Sequence, residues 1–220
     1  MENPIAEHHN TRFRLGLIIN PLAGVGGRAA LKGSDGVAEQ ALAMGVEPQA
    51  HSRVRQALES LLPLRDRIRL LAAPGVMGAD LLTDMGFDCE VVGALSCPPE
   101  TSAEDTETIA RQMSELGVDL LLFAGGDGTA RNICNQLDGR QLVLGIPAGV
   151  KIHSGVYAVN PRAAGELVAL LVQGELVRLR EADVRDIDEQ AFRNGQVRTR
   201  HYGELSVPEE GRFVQQVKQG

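Results

Sequence analysis

Apolar residues in this chain gather into short runs, set apart by polar, glycine-rich and helix-patterned stretches. The segments at 14–20 (RLGLIIN), 68–73 (IRLLAA), 89–92, 118–124 (VDLLLFA) and 142–146 have the length and density of strands buried on both faces. Between them lie helix-prone segments at 37–44, 54–62, 78–85, 103–116 and 129–137. Ile109, Met113 and Leu116 recur at helical spacing, with Thr101 or Ser102 as the cap and Gly117 as the stop. Asn160 and Pro161 read as cap and first position of a further apolar-rich helix that ends at Gly174. Strands alternating with helices predict an α/β fold: an open, mostly parallel sheet with right-handed crossovers and helices on both faces. The pattern changes after Gly174. Residues 176–192 and 197–207 are longer, more polar and partly alternating, and Arg193-Asn194-Gly195-Gln196 between them is a type I′ turn signal. An antiparallel β ribbon is expected there. The domain reading is a lead-in at 1–13, an α/β domain at 14–174 and a ribbon segment at 175–220.

Composition narrows the function classes. The chain has 220 residues, 43% of them hydrophobic and 23% charged, which is globular, and no apolar run reaches the roughly 20 residues of a spanning helix. Residues 1–11 have no apolar core and read as a disordered lead-in, so a cytoplasmic location is expected, with no membrane partner. Cys89, Cys97 and Cys134 show neither CxxC spacing nor a matching histidine pair, and read as reduced thiols. With 22 basic and 29 acidic residues the net charge is −7, and no basic block is present, which argues against nucleic acid. An acidic protein still binds polyphosphates through backbone amides, a few placed cations and Mg2+.

The candidate chemistry lies in the loops. In an open parallel sheet, ligands bind outside the carboxyl ends of the strands. Four Gly/Pro-rich segments follow strands here: Asn20-Pro21 and the glycines after it, Pro74-Gly75, Gly125-Gly126-Asp127-Gly128-Thr129, and Pro147-Ala148-Gly149. Glycines let backbone approach a ligand, and amides at a helix start face phosphate oxygens. Thr129 can cap the next helix or bond a phosphate. Asp127 has two readings. A carboxylate in a phosphate cradle is useful when it holds Mg2+ or accepts a proton from an attacking hydroxyl; otherwise it caps the helix.

The string GGDGT resembles the loop shared by NAD kinases, diacylglycerol and sphingosine kinases and, more distantly, phosphofructokinases. Three further blocks, 19–36 (INPLAGVGGRAALKGSDG), 73–82 (APGVMGADLL) and 145–167 (GIPAGVKIHSGVYAVNPRAAGEL), extend the likeness to the ATP-NAD kinase superfamily, in its AcoX-like branch. That resemblance implies phosphoryl transfer from ATP or inorganic polyphosphate, with Mg2+, to the ribose 2′-hydroxyl of NAD, giving NADP. It implies Asp127 as general base or metal organiser, and Gly125, Gly126, Gly128 and Thr129 as phosphate cradle. Asn20, Gly24, Gly26 and Gly27 would form the facing wall. Lys32, Arg131 and Lys151 are the candidate phosphate cations, and Asn132 and Gly149 complete the set. His153 and Ser154 lie close by in sequence, and His153 is taken as structural. Small-molecule nucleotides are the expected partners, with a homo-oligomer as a further expectation.

Two features depart from the family pattern. Asn132 stands where an acidic residue is expected after GGDGTAR. Relatives continue into a β-rich second domain that closes over the nucleotide, and the ribbon at 175–220 corresponds to its opening. A kinase of another hydroxyl, lipid or small metabolite, and a non-catalytic nucleotide-binding module are therefore the alternative readings. Dinucleotide redox chemistry is disfavoured, because no GxGxxG with a downstream acidic residue follows the first strand.

Overall fold

The computed structural model describes residues 12–24, 49–149, 152–175, 177–187 and 198–210. Strands β1 (Phe13–Ile19), β2 (Ile68–Ala72), β3 (Cys89–Val91), β4 (Leu120–Gly125) and β5 (Val143–Pro147) form a parallel sheet in the order β3-β2-β1-β4-β5. The order runs outward one way from β1 through β2 to β3, and the other way through β4 to β5. Strand order therefore reverses between β1 and β4, where an open sheet leaves a crevice at its carboxyl edge. The mutual register of β1 and β4, Leu15 beside Leu120 through Ile19 beside Ala124, brings Asn20 level with Gly125 at that edge.

The continuous apolar runs are explained by burial on both faces. Along β4, Leu120, Leu122 and Ala124 join one core cluster, and Leu121 and Phe123 join the other. The first cluster receives α1 (Ala50–Leu58), α2 (Ala79–Asp84) and α5 (Pro161–Gln173), through residues such as Val54, Leu82 and Leu167. The second receives α3 (Ala103–Glu115) and α4 (Asp127–Cys134), through Ile109, Met113 and Ile133. Each fully buried side chain of this kind contributes about 1.5–3 kcal/mol.

Local signals set the helix ends. Ser102 caps α3, its side chain accepting from the Asp105 amide while the Asp105 carboxylate accepts from the Ser102 amide, a reciprocal capping box. Asn160 caps α5 by accepting from the Ala163 amide, and Gly174 closes it at φ 78°. After α1 the chain tightens into a 3-10 segment, Glu59–Arg67, because Pro63 has no amide to continue an α-helix. A short 3-10 turn, Gly75–Met77, likewise precedes α2, where a single helix from 78 was expected. The helix-prone stretch at 37–44 lies outside the described residues.

Strands β6 (Arg178–Ile187) and β7 (Thr199–Glu209) form the expected antiparallel ribbon, with a bulge between Val184 and Arg185. The expected turn at 193–196 lies outside the described residues. Ala182, Val184, Leu205 and Val207 pack into the second core cluster beside Ile133, Val143 and Tyr157, so the ribbon covers the α4 side of the sheet. No helix among the described residues is long and apolar enough to cross a membrane.

Candidate functional site

Three of the four predicted loops meet at the carboxyl edge, directly over the switch between β1 and β4. The Asn20 amide donates to Ala124 O at 2.9 Å, its side-chain Oδ1 accepts from the Leu22 amide, and its Nδ2 donates to Thr129 Oγ1 at 3.0 Å. One side chain thus fixes the turn after β1 and ties it to the head of α4. From the β5 side, the Ala148 and Gly149 amides both donate to Gly125 O at 3.0 Å. A Cβ built on Gly149 would lie 2.6 Å from Gly126 Cα, and one on Gly24 would strike Ala148 O. Only bare backbone fits where these loops cross.

Two supports come from outside the loops. Tyr157 is fully buried and donates to Gly126 O at 2.6 Å, its ring set edge-on to Phe123 with centroids 5.4 Å apart. Burial, reinforced by the nearby carboxylates of Asp127 and Asp186, holds its phenol well above the usual value, so it stays a donor. Arg53 on α1 donates to Pro147 O at 3.0 Å and steadies the turn after β5.

Helix α4 begins at Asp127, two residues before the expected start. Gly126 is the cap, and no side chain bonds the leading amides. Neither Asp127 nor Thr129 caps the helix. The Asp127 carboxylate instead spans to the loop after β5. Its Oδ2 accepts from the His153 amide at 2.8 Å and lies 3.0 Å from His153 Nδ1, and its Oδ1 accepts from the Ser154 amide at 3.0 Å. The Asp127 side chain is 8% exposed and the His153 side chain 36%, so the carboxylate lies behind the imidazole. In the tautomer with its proton on Nδ1, His153 donates to this carboxylate. The expectation that His153 is merely a neighbour in sequence gives way to a direct bond with the central acid.

The same loop anchors the ribbon. Ser154 Oγ donates to Arg185 O at 2.8 Å and accepts from the Arg185 amide at 3.0 Å, while the Gly155 amide donates to Asp183 O at 2.8 Å. Arg131 on α4 pairs with Asp186 at 2.9 Å and lies over the Tyr202 ring at 5.6 Å. Its guanidinium is thus engaged with the ribbon. Asn132 is half-buried on α4. Gly26, Gly27, Lys32 and Lys151 lie outside the described residues.

Sequence reasoning missed Tyr157, Arg53 and the roles of His153 and Ser154. Tyr157 is one of only two tyrosines in the chain, which was the one available signal. Elsewhere, a cavity of about 590 Å3 between the amino ends of β2 and β3, lined by Arg65, Asp66, Arg69 and Glu90 among others, is at the opposite edge of the sheet. On the ribbon, Asp183, His201 and Glu204 bring ligand-type atoms within 4.8 Å of one another, but Asp183 is already paired with Arg185 at 2.8 Å. The three cysteines are free, and burial pushes the thiols of Cys89 and Cys134 up, with Asp88 adding to the effect at Cys89. Those two are poor nucleophiles.

A family model described as the ATP-NAD kinase N-terminal domain matches residues 15–176. No curated protein matches the chain significantly. The solved structures it is similar to include three described as diacylglycerol kinases from Bacillus anthracis str. Sterne, two of them provisionally so. One is 17% identical over 82% of this chain and 47% of its own, with TM-score 0.38. A second is 16% identical over 82% and 46%, with TM-score 0.41, and a third 17% over 85% and 44%, with TM-score 0.35. The chain spans less than half the length of these structures.

Proposed function

This chain belongs to the ATP-NAD kinase family, and from that premise we propose that its β1/β4 crevice transfers a phosphoryl group from ATP, or from inorganic polyphosphate, to the 2′-hydroxyl of NAD. The observation that carries the reading is the convergence of the loops bearing Asn20, Gly125 and Gly149 around a helix start that has no side-chain cap. Phosphoryl transfer asks little covalent chemistry of a protein and much positioning and charge stabilisation. The leading amides of α4 offer donors and a partial positive charge to phosphate oxygens. Gly125, Gly126, Gly128 and Thr129 form the cradle in this reading. Asn20 and Gly24 shape the opposite wall, and Gly149 the third side. Lys32 and Lys151 supply cations, while Arg131 acts through the ribbon it holds.

The family implies ATP with a divalent cation, here Mg2+. Mg2+ favours one or two free carboxylates together with substrate phosphates. Both oxygens of Asp127 already accept N–H donors at 2.8–3.0 Å, three contacts against about four lone-pair sites, which leaves room for at most one contact with a cation. The cation then enters with the triphosphate, and Asp127 is a fixed anion that organises the loop after β5.

The GGDGT loop sets the phosphoryl chemistry and leaves the acceptor open. The test is to incubate the protein with Mg-ATP or polyphosphate and NAD, and to assay NADP. NADP formation that disappears in Asp127→Asn supports the reading. Absence of NADP alongside label transfer to a lipid or metabolite hydroxyl makes the protein a kinase of that acceptor. Nucleotide binding with no transfer to any hydroxyl makes it a binding module.

A further inference from the structure

We propose that the ribbon carries, on the face turned away from the core, a site for one divalent transition-metal ion of the zinc type, ligated by Asp183 from β6 and by His201 and Glu204 from β7. None of these residues belongs to the β1/β4 crevice, and the site does not depend on the phosphotransferase reading. The backbone brings the three side chains to one face. Ala182, Val184, Leu205 and Val207 pack into the second core cluster, so Asp183 and Glu204, which stand directly opposite in the register, take the other face. By simple alternation His201 would fall on the core side. The bulge prevents this, because the register passes from Val184 beside Gly203 to Arg185 beside His201, and the extra residue, Tyr202, lies against Arg131 of α4. A bulge re-aims the side chains beside it, and here it turns His201 to the face of the two carboxylates.

The donor atoms are spaced for an ion between them. His201 Nε2 is 3.6 Å from Asp183 Oδ1, beyond hydrogen-bond length, and the ligand-type atoms of all three residues lie within 4.8 Å of one another. Three atoms about 3.6 Å apart share a point about 2.1 Å from each, which is the reach of zinc to nitrogen and oxygen ligands. Arg185 donates from Nε and Nη2 to Asp183 Oδ2 at 3.1 and 2.8 Å, which fixes that carboxylate and leaves Oδ1 for the ion. Outer partners of this kind orient metal ligands. Glu204 has no ion-pair partner among the described residues, and its carboxylate stands opposite that of Asp183, where like charges repel. Two carboxylates against one guanidinium leave a negative charge that a dication offsets. An imidazole with two carboxylates suits zinc, with water in the remaining position, whereas Mg2+ prefers oxygen ligands throughout. The bound ion clips β6 to β7 and steadies the strand whose Asp183 carbonyl and Arg185 amide anchor Gly155 and Ser154.

Calorimetric titration of the chelator-stripped full chain with Zn2+ should show one equivalent bound and a raised thermal melting point, whereas Mg2+ at the same concentration gives neither. His201→Ala, Asp183→Asn and Glu204→Gln should each weaken zinc binding at least about 10-fold and remove the zinc-dependent rise in melting. His201 and Glu204 are exposed, so His201→Ala and Glu204→Gln should melt with the wild type when metal-free, which separates loss of a ligand from loss of the fold. Paramagnetic Co2+ in place of zinc locates the ion by NMR: the shifted amides should centre on 183, 201 and 204, with those of β1 and β2 left in place. Wild-type zinc affinity in His201→Ala or Glu204→Gln would overturn the proposal, as would a Co2+ centre at the cysteines, His51 or His153, or a wild-type chain that takes up no zinc. None of these readouts uses phosphoryl transfer, so their failure leaves the kinase reading standing, and the reverse holds as well.

Discussion

Replacing Gly149 by alanine tests whether the loops converge as closely as described. The new Cβ would lie 2.6 Å from Gly126 Cα and 3.4 Å from the Gly126 amide nitrogen. Carbon atoms rest at about 3.5–4.0 Å, so the turn after β5 and the GGDGT loop must part by roughly 1 Å. Both contacts are backbone, and no side chain can rotate away. Overpacking of this kind costs about 1–3 kcal/mol, which in a domain of this size lowers Tm by about 2–12 °C at 2–4 °C per kcal/mol. Displacing a catalytic constellation by about 1 Å costs about 100-fold in rate. Gly174→Ala is the matched control. Gly174 closes α5 at φ 78° with nothing within 4 Å of an added Cβ, so its penalty, about 1–2 kcal/mol, is conformational and remote from the loops. Calorimetric titration with Mg-ATP and differential scanning calorimetry read both effects. The expected result is comparable destabilisation in the two variants, with nucleotide affinity falling at least about 10-fold only in Gly149→Ala. Wild-type nucleotide affinity in Gly149→Ala would refute the close crossing.

Tyr157→Phe should cost only about 1 kcal/mol by chemical denaturation, because Gly126 O keeps the Thr129 and Ala130 amides as donors; a loss above about 3 kcal/mol would mean that the hydroxyl supports more than this carbonyl. Ser154→Ala strands both backbone groups of Arg185 and should speed hydrogen exchange in β6 while the β1 and β4 amides stay protected. Burial raises the Asp105 carboxyl, but hydrogen bonds from Ser96 and Ser102 outweigh it and leave the group below its ordinary value. Its contribution to stability is therefore full above the unfolded value of about 3.9 and fades as pH falls through the lower folded value. Wild type should lose more stability than Asp105→Asn in a denaturation series taken down through that range, and parallel losses would count against the capping box.

The strands were legible because burial on both faces writes them as unbroken apolar runs, and β1, β2 and β4 begin or end within two residues of their expected positions. The helix caps Ser102 and Asn160 were equally local and equally readable. Less was legible where a distant residue decides the outcome. Asp127 reads in sequence as a helix cap or an isolated acid, and only the return of the chain 26 positions later supplies His153 as its partner. Tyr157 reaches Gly126 across 31 positions and Arg53 reaches Pro147 across 94, and no periodicity encodes such contacts. Arg131 looked like a phosphate cation because charge and sequence proximity were visible, whereas Asp186 and Tyr202 on the ribbon were not connected to it by any local signal.

The central claim, phosphoryl transfer at the β1/β4 crevice, is tested most directly by following the label of Mg-ATP carrying a radioactive γ-phosphate in the presence of NAD and a panel of other hydroxyl acceptors. The account predicts label on a hydroxyl acceptor, NADP first among the products examined, and loss of that transfer in Asp127→Asn and in Gly149→Ala. Transfer at the wild-type rate in both variants would contradict it.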